Sequence, residues 1–182
     1  MTLDVRFPNV DPDGMTDLQR RFVSDLAAGP RGMVSGPFLP LVHAPELGRR
    51  IEKMGRHLRF ESKLPKDIIE LAILMTAHEW SCHYEWHFHA RLAVQAGMAA
   101  TAIEAIRHGR QPDGLTPEQA LVYRYCQDVY AKKEVGDANF QSVKDRFGTE
   151  GALELLALCG YYSTLAMILN TARLMPAEGP AF

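Results

Sequence analysis

Eight side chains able to move protons or ligate metal fall within one twenty-residue stretch: Glu70, His78, Glu79, Cys82, His83, Glu85, His87 and His89. At about 100° per residue, a helix through this stretch puts Cys82, Glu85, Trp86 and His89 on one face. Leu92, Ala93 and Ala96 continue that face. Small residues let a neighbouring helix approach closely, so Glu85 and His89 are expected to point into packed interior. A carboxylate four residues before a histidine can orient the imidazole, fix its tautomer or share its proton. Burial raises the carboxyl's pKa and a charged partner lowers it, so such a pair can move protons near neutral pH. The plainer alternative is an ordinary ion pair one helical turn apart.

His83 and His87 form a second pair at i, i+4, in line with Ala90 and Val94. That spacing presents two metal ligands on one face, but Tyr84 follows His83, so no HExxH motif is present. A third ligand would have to come from elsewhere, Glu79 being the nearest candidate, and solvated or interface histidines are the favoured reading. Cys82 opens the same helix, where the helix dipole favours a thiolate. Glu85, three residues on, opposes that ionisation and cannot form a disulfide. Cys126 and Cys159 lie in apolar stripes and read as core residues.

The elements that must position these groups are helical. Residues 1–15 read as an extended arm. Thr16 is a candidate N-cap for a helix carrying Leu18, Phe22 and Leu26 and stopped by Gly29. The stretch 29–40 reads as a loop because of its glycines and prolines. Pro45 opens a helix with the stripe Leu47, Ile51, Met54 and Leu58. The chain from 66 to about 77 is apolar on most sides and is expected to be central. A break near Trp80 and Ser81 separates it from a second central helix over about 82–96, with Gly97 beyond it. A further helix carries Ile103 and Ile106 and ends at Gly109. Thr116, Pro117 and Gln119 form a strong start signal for the next, with Leu121, Val122, Tyr125 and Val129 as its stripe. Asp137 is expected to cap a helix bearing Phe140, Val143 and Phe147, closed by Gly148. A last, longest helix follows from Thr149 and ends before Pro176. No segment alternates with the period of a half-buried strand. The expectation is therefore an all-α fold of about eight helices, with 1–40 as arm and helix and 41–176 as the helical domain.

Bulk properties narrow the function. The chain has 182 residues, 47% hydrophobic and 23% charged, which suits one globular domain and excludes intrinsic disorder. Twenty basic against 22 acidic side chains leave a net charge of −2, no footprint for nucleic acid or an anionic membrane surface. Three cysteines without CxxC spacing fit a reduced, cytoplasmic chain. The first residues are acidic and proline-bearing, unlike a secretory signal. The apolar run from 152 to 169 is interrupted by Glu154, Ser163 and Thr164, and reads as a core or interface helix rather than a membrane span.

One resemblance organises these features. The run Glu70-Leu71-Ala72-Ile73-Leu74 is followed, twelve residues after Glu70, by Cys82-His83-Tyr84-Glu85-Trp86-His87-Phe88-His89-Ala90-Arg91-Leu92-Ala93. With Gly97, Gly160-Tyr161-Tyr162 and Leu169-Asn170, this resembles the carboxymuconolactone decarboxylase and alkylhydroperoxidase D-like superfamily over roughly residues 40–175. In its peroxidase branch a Glu, a CxxC pair and a His four residues after the second Cys match Glu70, Cys82, Glu85 and His89 in turn. Glu85 therefore stands where the second cysteine belongs, which removes the dithiol that cycles through a disulfide. The decarboxylase branch carries Glu-x-x-x-His on this helix, as Glu85 and His89 do. Ile69 departs from the Arg that members often carry before the position of Glu70.

The resemblance implies an all-α, cofactor-free enzyme working as a homo-oligomer, a trimer or hexamer, on a small-molecule substrate. On that reading His89 is the general acid/base, Glu85 orients it and Glu70 relays protons. Two alternatives stand beside it. One is a peroxidase using Cys82 alone with an outside thiol as resolver, and the other is a non-catalytic helical interaction module.

Overall fold

The computed structural model describes residues 6–182, so the first part of the expected N-terminal arm, residues 1–5, lies outside the described residues. The fold is all-α, and no strand occurs among the described residues. Its elements are α1 (Asp17–Ala28), α2 (Phe38–Leu41), α3 (Pro45–Arg56) with a π-helical turn at His57–Glu61, α4 (Lys66–Glu79), α5 (His83–Gln95), α6 (Ala100–Arg107), α7 (Pro117–Lys132) and α8 (Asp137–Ala172). Gly148, at φ 74°, breaks α8 into two arms, 137–147 and 149–172, as the glycine there predicted.

α4 is the axis of the molecule. Every residue from Ile68 to Ala77 is buried, and α5, α7 and the second arm of α8 pack around it. Burying each large aliphatic side chain stabilises the fold by about 1.5–3 kcal/mol, which explains why a helix with so little polar surface sits at the centre. Its apolar faces are all covered within one protomer. The second arm of α8 is long and apolar enough to cross a membrane by length and composition, yet over half of that stretch is buried against α4 and α7.

Caps and polar ties fix the elements. Thr16 and Thr116 each form a reciprocal capping box, with Gln19 and Gln119. Gln119 also donates to Asp67 (2.8 Å), tying the start of α7 to α4. Glu154 on α8 accepts from His57 (2.8 Å) and Ser62 (2.7 Å), which holds the π-helical turn. The α4–α5 reversal is tight. Ser81 adopts a left-handed φ of 45°, and the Cys82 amide donates back to Ala77 (2.8 Å). Trp80 Nε1 donates to Ser163 (2.8 Å), and Asn170 donates to the Trp80 carbonyl (2.8 Å), so α8 clamps the reversal from outside.

Four local expectations are corrected. Residues 38–41 form a helical turn that takes up the end of the expected 29–40 loop, because Phe38 and Leu41 bury against Phe22 and Leu26 and that burial outweighs Pro37 and Pro40. On α3 the apolar stripe faces the core only in part: Ile51 packs against it and Leu58, in the following turn, is buried, but Leu47 and Met54 are exposed, while Gly48 and Gly55 are buried. The glycines face inward because aromatic rings lie directly on them, Phe22 on Gly48 and Tyr161 on Gly55. Leu18 on α1 and Phe140 on α8 are likewise exposed beside their buried neighbours Phe22 and Val143. Gly136 rather than Asp137 holds the cap position of α8, because Asp128 accepts from the Gly136 amide (3.1 Å) and from Asn139 (2.7 Å) and fixes the α7–α8 turn.

Candidate functional site

The reversal at Trp80–Cys82 lays α5 antiparallel along α4, which brings Glu70, ten residues before Trp80, opposite His89, nine residues after it. Glu70, Glu85 and His89 are all buried, with His89 only 1% exposed. The imidazole is held between the two carboxylates. Its Nδ1–H donates to Glu70 Oε2 at 2.6 Å, and its Nε2 lies 3.2 Å from Glu85 Oε2. Burial pushes the imidazole toward the neutral form. The Glu70 and Glu85 carboxylates outweigh that, and the pKa of His89 is raised above its ordinary value.

Glu85 and His89 open onto a cavity of about 240 Å³. Its walls come from the 30–38 segment, the π-helical turn, α5 and α8, and include Arg31, Arg59, Phe38, Phe88 and Tyr162. Glu70 does not line it and stands behind the ring. Tyr162 meets the His89 ring edge-on (centroids 5.1 Å, 86°), and Phe88 meets it from another side at 5.1 Å. Burial pushes the Tyr162 hydroxyl well above the usual phenol range, so it remains protonated.

The other candidates lie elsewhere. Cys82 is wholly buried against Ala166 and Leu169, outside the cavity walls. Burial, and then the Glu85 charge, push its thiol up to about 12, so the dipole of α5 does not yield a thiolate. Cys126 and Cys159 are core residues with sulfurs 3.8 Å apart. His83 accepts from the amides of Ala181 (3.0 Å) and Phe182 (3.4 Å), so its Nδ1 is engaged by backbone. Among the described residues no group of three His, Cys, Asp or Glu side chains is arranged to hold a metal ion. Ile69 packs in the core, 1% exposed, away from the cavity.

Sequence reasoning missed Arg31, Arg59, Phe38 and Phe88 as cavity residues. Arg31 and Phe38 come from a glycine- and proline-rich stretch without periodicity, and nothing in the spacing ties such a stretch to α5. Tyr162 carried a signal, as part of the Gly160-Tyr161-Tyr162 run.

Residues 45–128 match the carboxymuconolactone decarboxylase family, a segment that contains Glu70, Glu85 and His89. Among solved structures the fold is similar to the alkylhydroperoxidase AhpD core of an uncharacterized peroxidase-related protein from Ralstonia eutropha JMP134. That likeness has a TM-score of 0.77 at 20% identity and covers 95% of this chain and 92% of the other. The segment 45–128, just under half of the chain, carries the family likeness, and the likeness to the AhpD core is one of fold. No curated protein matches the chain. The chain has the all-helical fold of that core, and its Glu85 carboxylate lines the cavity.

Proposed function

We propose that this chain is a carboxymuconolactone decarboxylase-like protein and a lyase of the decarboxylase type, acting on a small unsaturated lactone or carboxylate by general acid/base chemistry. The observation that carries the reading is the buried imidazole between two carboxylates, with one of them, Glu85, open to the cavity. In the reaction, the bond between the carboxylate carbon and the ring breaks and carbon dioxide leaves. The electron pair enters the conjugated system toward a carbonyl oxygen. The carbon left behind then takes a proton from His89 Nε2, where the imidazolium faces the cavity beside Glu85. Glu85 holds the charged ring on the cavity side. Glu70 grips Nδ1 from behind and is a positioning residue, because it does not reach the substrate space. The expected roles of the two carboxylates are therefore exchanged in this proposal: Glu70 orients the ring, and Glu85 takes part in proton movement.

The peroxidase alternative needs a thiolate that meets the peroxide. The burial and raised pKa of Cys82 speak against it. The proposal includes a cytoplasmic homo-oligomer, a trimer or hexamer. The support for the oligomer is the exposed apolar row Leu153, Leu156 and Met167 on α8.

The test is release of carbon dioxide from carboxymuconolactone and related unsaturated lactone carboxylates. His89→Ala should lower turnover about 10²–10⁴-fold, the usual worth of a positioned acid or base, and in kcat more than in KM. Equal turnover in the folded His89→Ala protein would overturn the reading and leave the ion pair as a structural element.

A further inference from the structure

The cavity beside His89 holds more positive charge than the acid–base residues account for. Arg31 and Arg59 both line it, and neither forms an ion pair among the described residues. Arg31 Nε and Nη2 are buried and have no hydrogen-bond partner there, and neither does the buried hydroxyl of Tyr161. Arg31 Nη2 and the Tyr161 hydroxyl converge on the bare face of Gly55, and neither Gly55 nor Tyr161 lines the cavity, so the guanidinium meets the cavity through Nη1, which is not enclosed. The Arg31 guanidinium lies 4.5 Å from the centre of the Phe38 ring and 5.8 Å from that of Phe60. Arg59 lies 5.0 Å from Phe60 and 5.6 Å from Phe88. Ring faces attract a cation but leave its in-plane N–H donors unused. A guanidinium drawn partly out of water with its donors unmet is costly unless an acceptor arrives.

Charge counting points the same way. Protonated His89 between Glu70 and Glu85 leaves one net negative charge, and the two arginines add two positive ones. A monoanion seated in the cavity would cancel the surplus, and a carboxylate matches the planar fork of arginine. The apolar walls, Phe38, Phe88, Leu92 and Leu165, suit the body of such a molecule.

We propose that Arg31 is the anion receptor of this cavity and selects substrates that carry a carboxylate on the part retained through the reaction. A carboxylate that departs as carbon dioxide must shed its charge, and an ion pair on it would stabilise the ground state against that step. Arg31 therefore serves the retained group, while the group facing His89 reacts. Arg31 precedes the 45–128 segment that matches the family, so this specificity is built from the chain's N-terminal part. The inference rests on the cavity being the substrate site.

Benzoate and its neutral counterpart benzamide separate anion recognition from shape, and their binding needs no turnover. Calorimetric titration should show benzoate binding more tightly than benzamide. Arg31→Gln should weaken benzoate about tenfold or more, with partial recovery in Arg31→Lys and little change for benzamide. In the unsubstituted protein, the ¹⁵N resonance of Arg31 Nε should move with benzoate and not with benzamide, a readout that survives if Arg31→Gln fails to fold. Equal affinity for the two probes, or an unmoved Arg31 resonance at benzoate saturation, would overturn the proposal. Benzoate selectivity without any lactone decarboxylation would leave the receptor standing and remove the lyase reading.

Discussion

Glu70 Oε2 and His89 Nδ1 lie 2.6 Å apart across the α4–α5 interface, closer than His89 and its own helix neighbour Glu85 at 3.2 Å. The shorter contact joins two helices, so it bears on the fold as well as on the proton chemistry. Removing one partner of a buried ion pair typically costs about 3–5 kcal/mol. Glu70→Ala should fall in that range by denaturant unfolding. Glu85→Gln, on the cavity side, should cost clearly less stability and more kcat. Equal stability losses for the two would show that both carboxylates serve the fold alike.

The same pair should leave a mark on stability against pH. The folded-state pKa of His89 is raised above the ordinary value of about 6.5. The stabilisation from its charged form is therefore complete below about pH 6.5 and is lost as the pH rises through the folded-state pKa. The difference in unfolding free energy between the natural protein and His89→Gln should shrink over that alkaline window. An unchanged difference would mean that the ring is not charged in the folded state.

Cys82 should be inert in the native protein. With its thiol pushed to about 12, its thiolate fraction near pH 7 is on the order of 10⁻⁵, and it is fully enclosed. Iodoacetamide should label it only on unfolding, and mass spectrometry after mild peroxide should find no Cys82 crosslink. Cys82→Ala should keep normal lyase turnover. A disulfide from Cys82 to Cys126 or Cys159 would restore the peroxidase reading.

Gly55 offers a test of the packing that backs Arg31 behind the cavity wall. Glycine inside a helix is usually worse than alanine by about 1 kcal/mol. Here a Cβ would collide with the Tyr161 hydroxyl and stand 2.8 Å from Arg31 Nη2. Gly55→Ala should therefore destabilise by about 1–3 kcal/mol, the cost of overpacking, and shift the Arg31 side chain. A stabilised variant would show that the wall yields freely.

The oligomer has its own measurement. Light scattering should give a multiple of the 20.4 kDa protomer. Leu153→Glu on the exposed row of α8 should reduce that mass, and a monomer before substitution would remove the proposal.

Much of this arrangement was legible in the sequence. The α5 face is regular, so Cys82, Glu85, Trp86, His89, Leu92, Ala93 and Ala96 could be assigned to one inward face from spacing alone, and the structure buries all of them but Leu92 and Ala96, which are half-buried. Gly148, the Thr16 cap and the Thr116-x-x-Gln119 capping box marked their helix ends because each is a local signal. Long-range packing was not legible. The spacing pairs His89 with Glu85, while the closer partner Glu70 is set by a reversal whose register depends on Trp80, Ser163 and Asn170. The inward face of α3 was misread because glycines carry no hydrophobic signal, although a glycine can bring an aromatic ring nearer than leucine can. Arg31 was missed because its loop is shaped by the helices beneath it.

The two contacts of the His89 ring set a stoichiometry. Each contact between a ring nitrogen and a carboxylate needs one hydrogen between two lone pairs, so the three side chains hold together best with two hydrogens among them. Giving one away leaves an oxygen and a nitrogen with lone pairs facing, and the weaker, Glu85 side is where that repulsion falls. The spent centre is thus strained until it is refilled from the cavity, its open side. In the proposed lyase reaction each turnover then has a compulsory recharging half. A product that lingers in the cavity blocks it, and slow product release would appear as a centre left one hydrogen short.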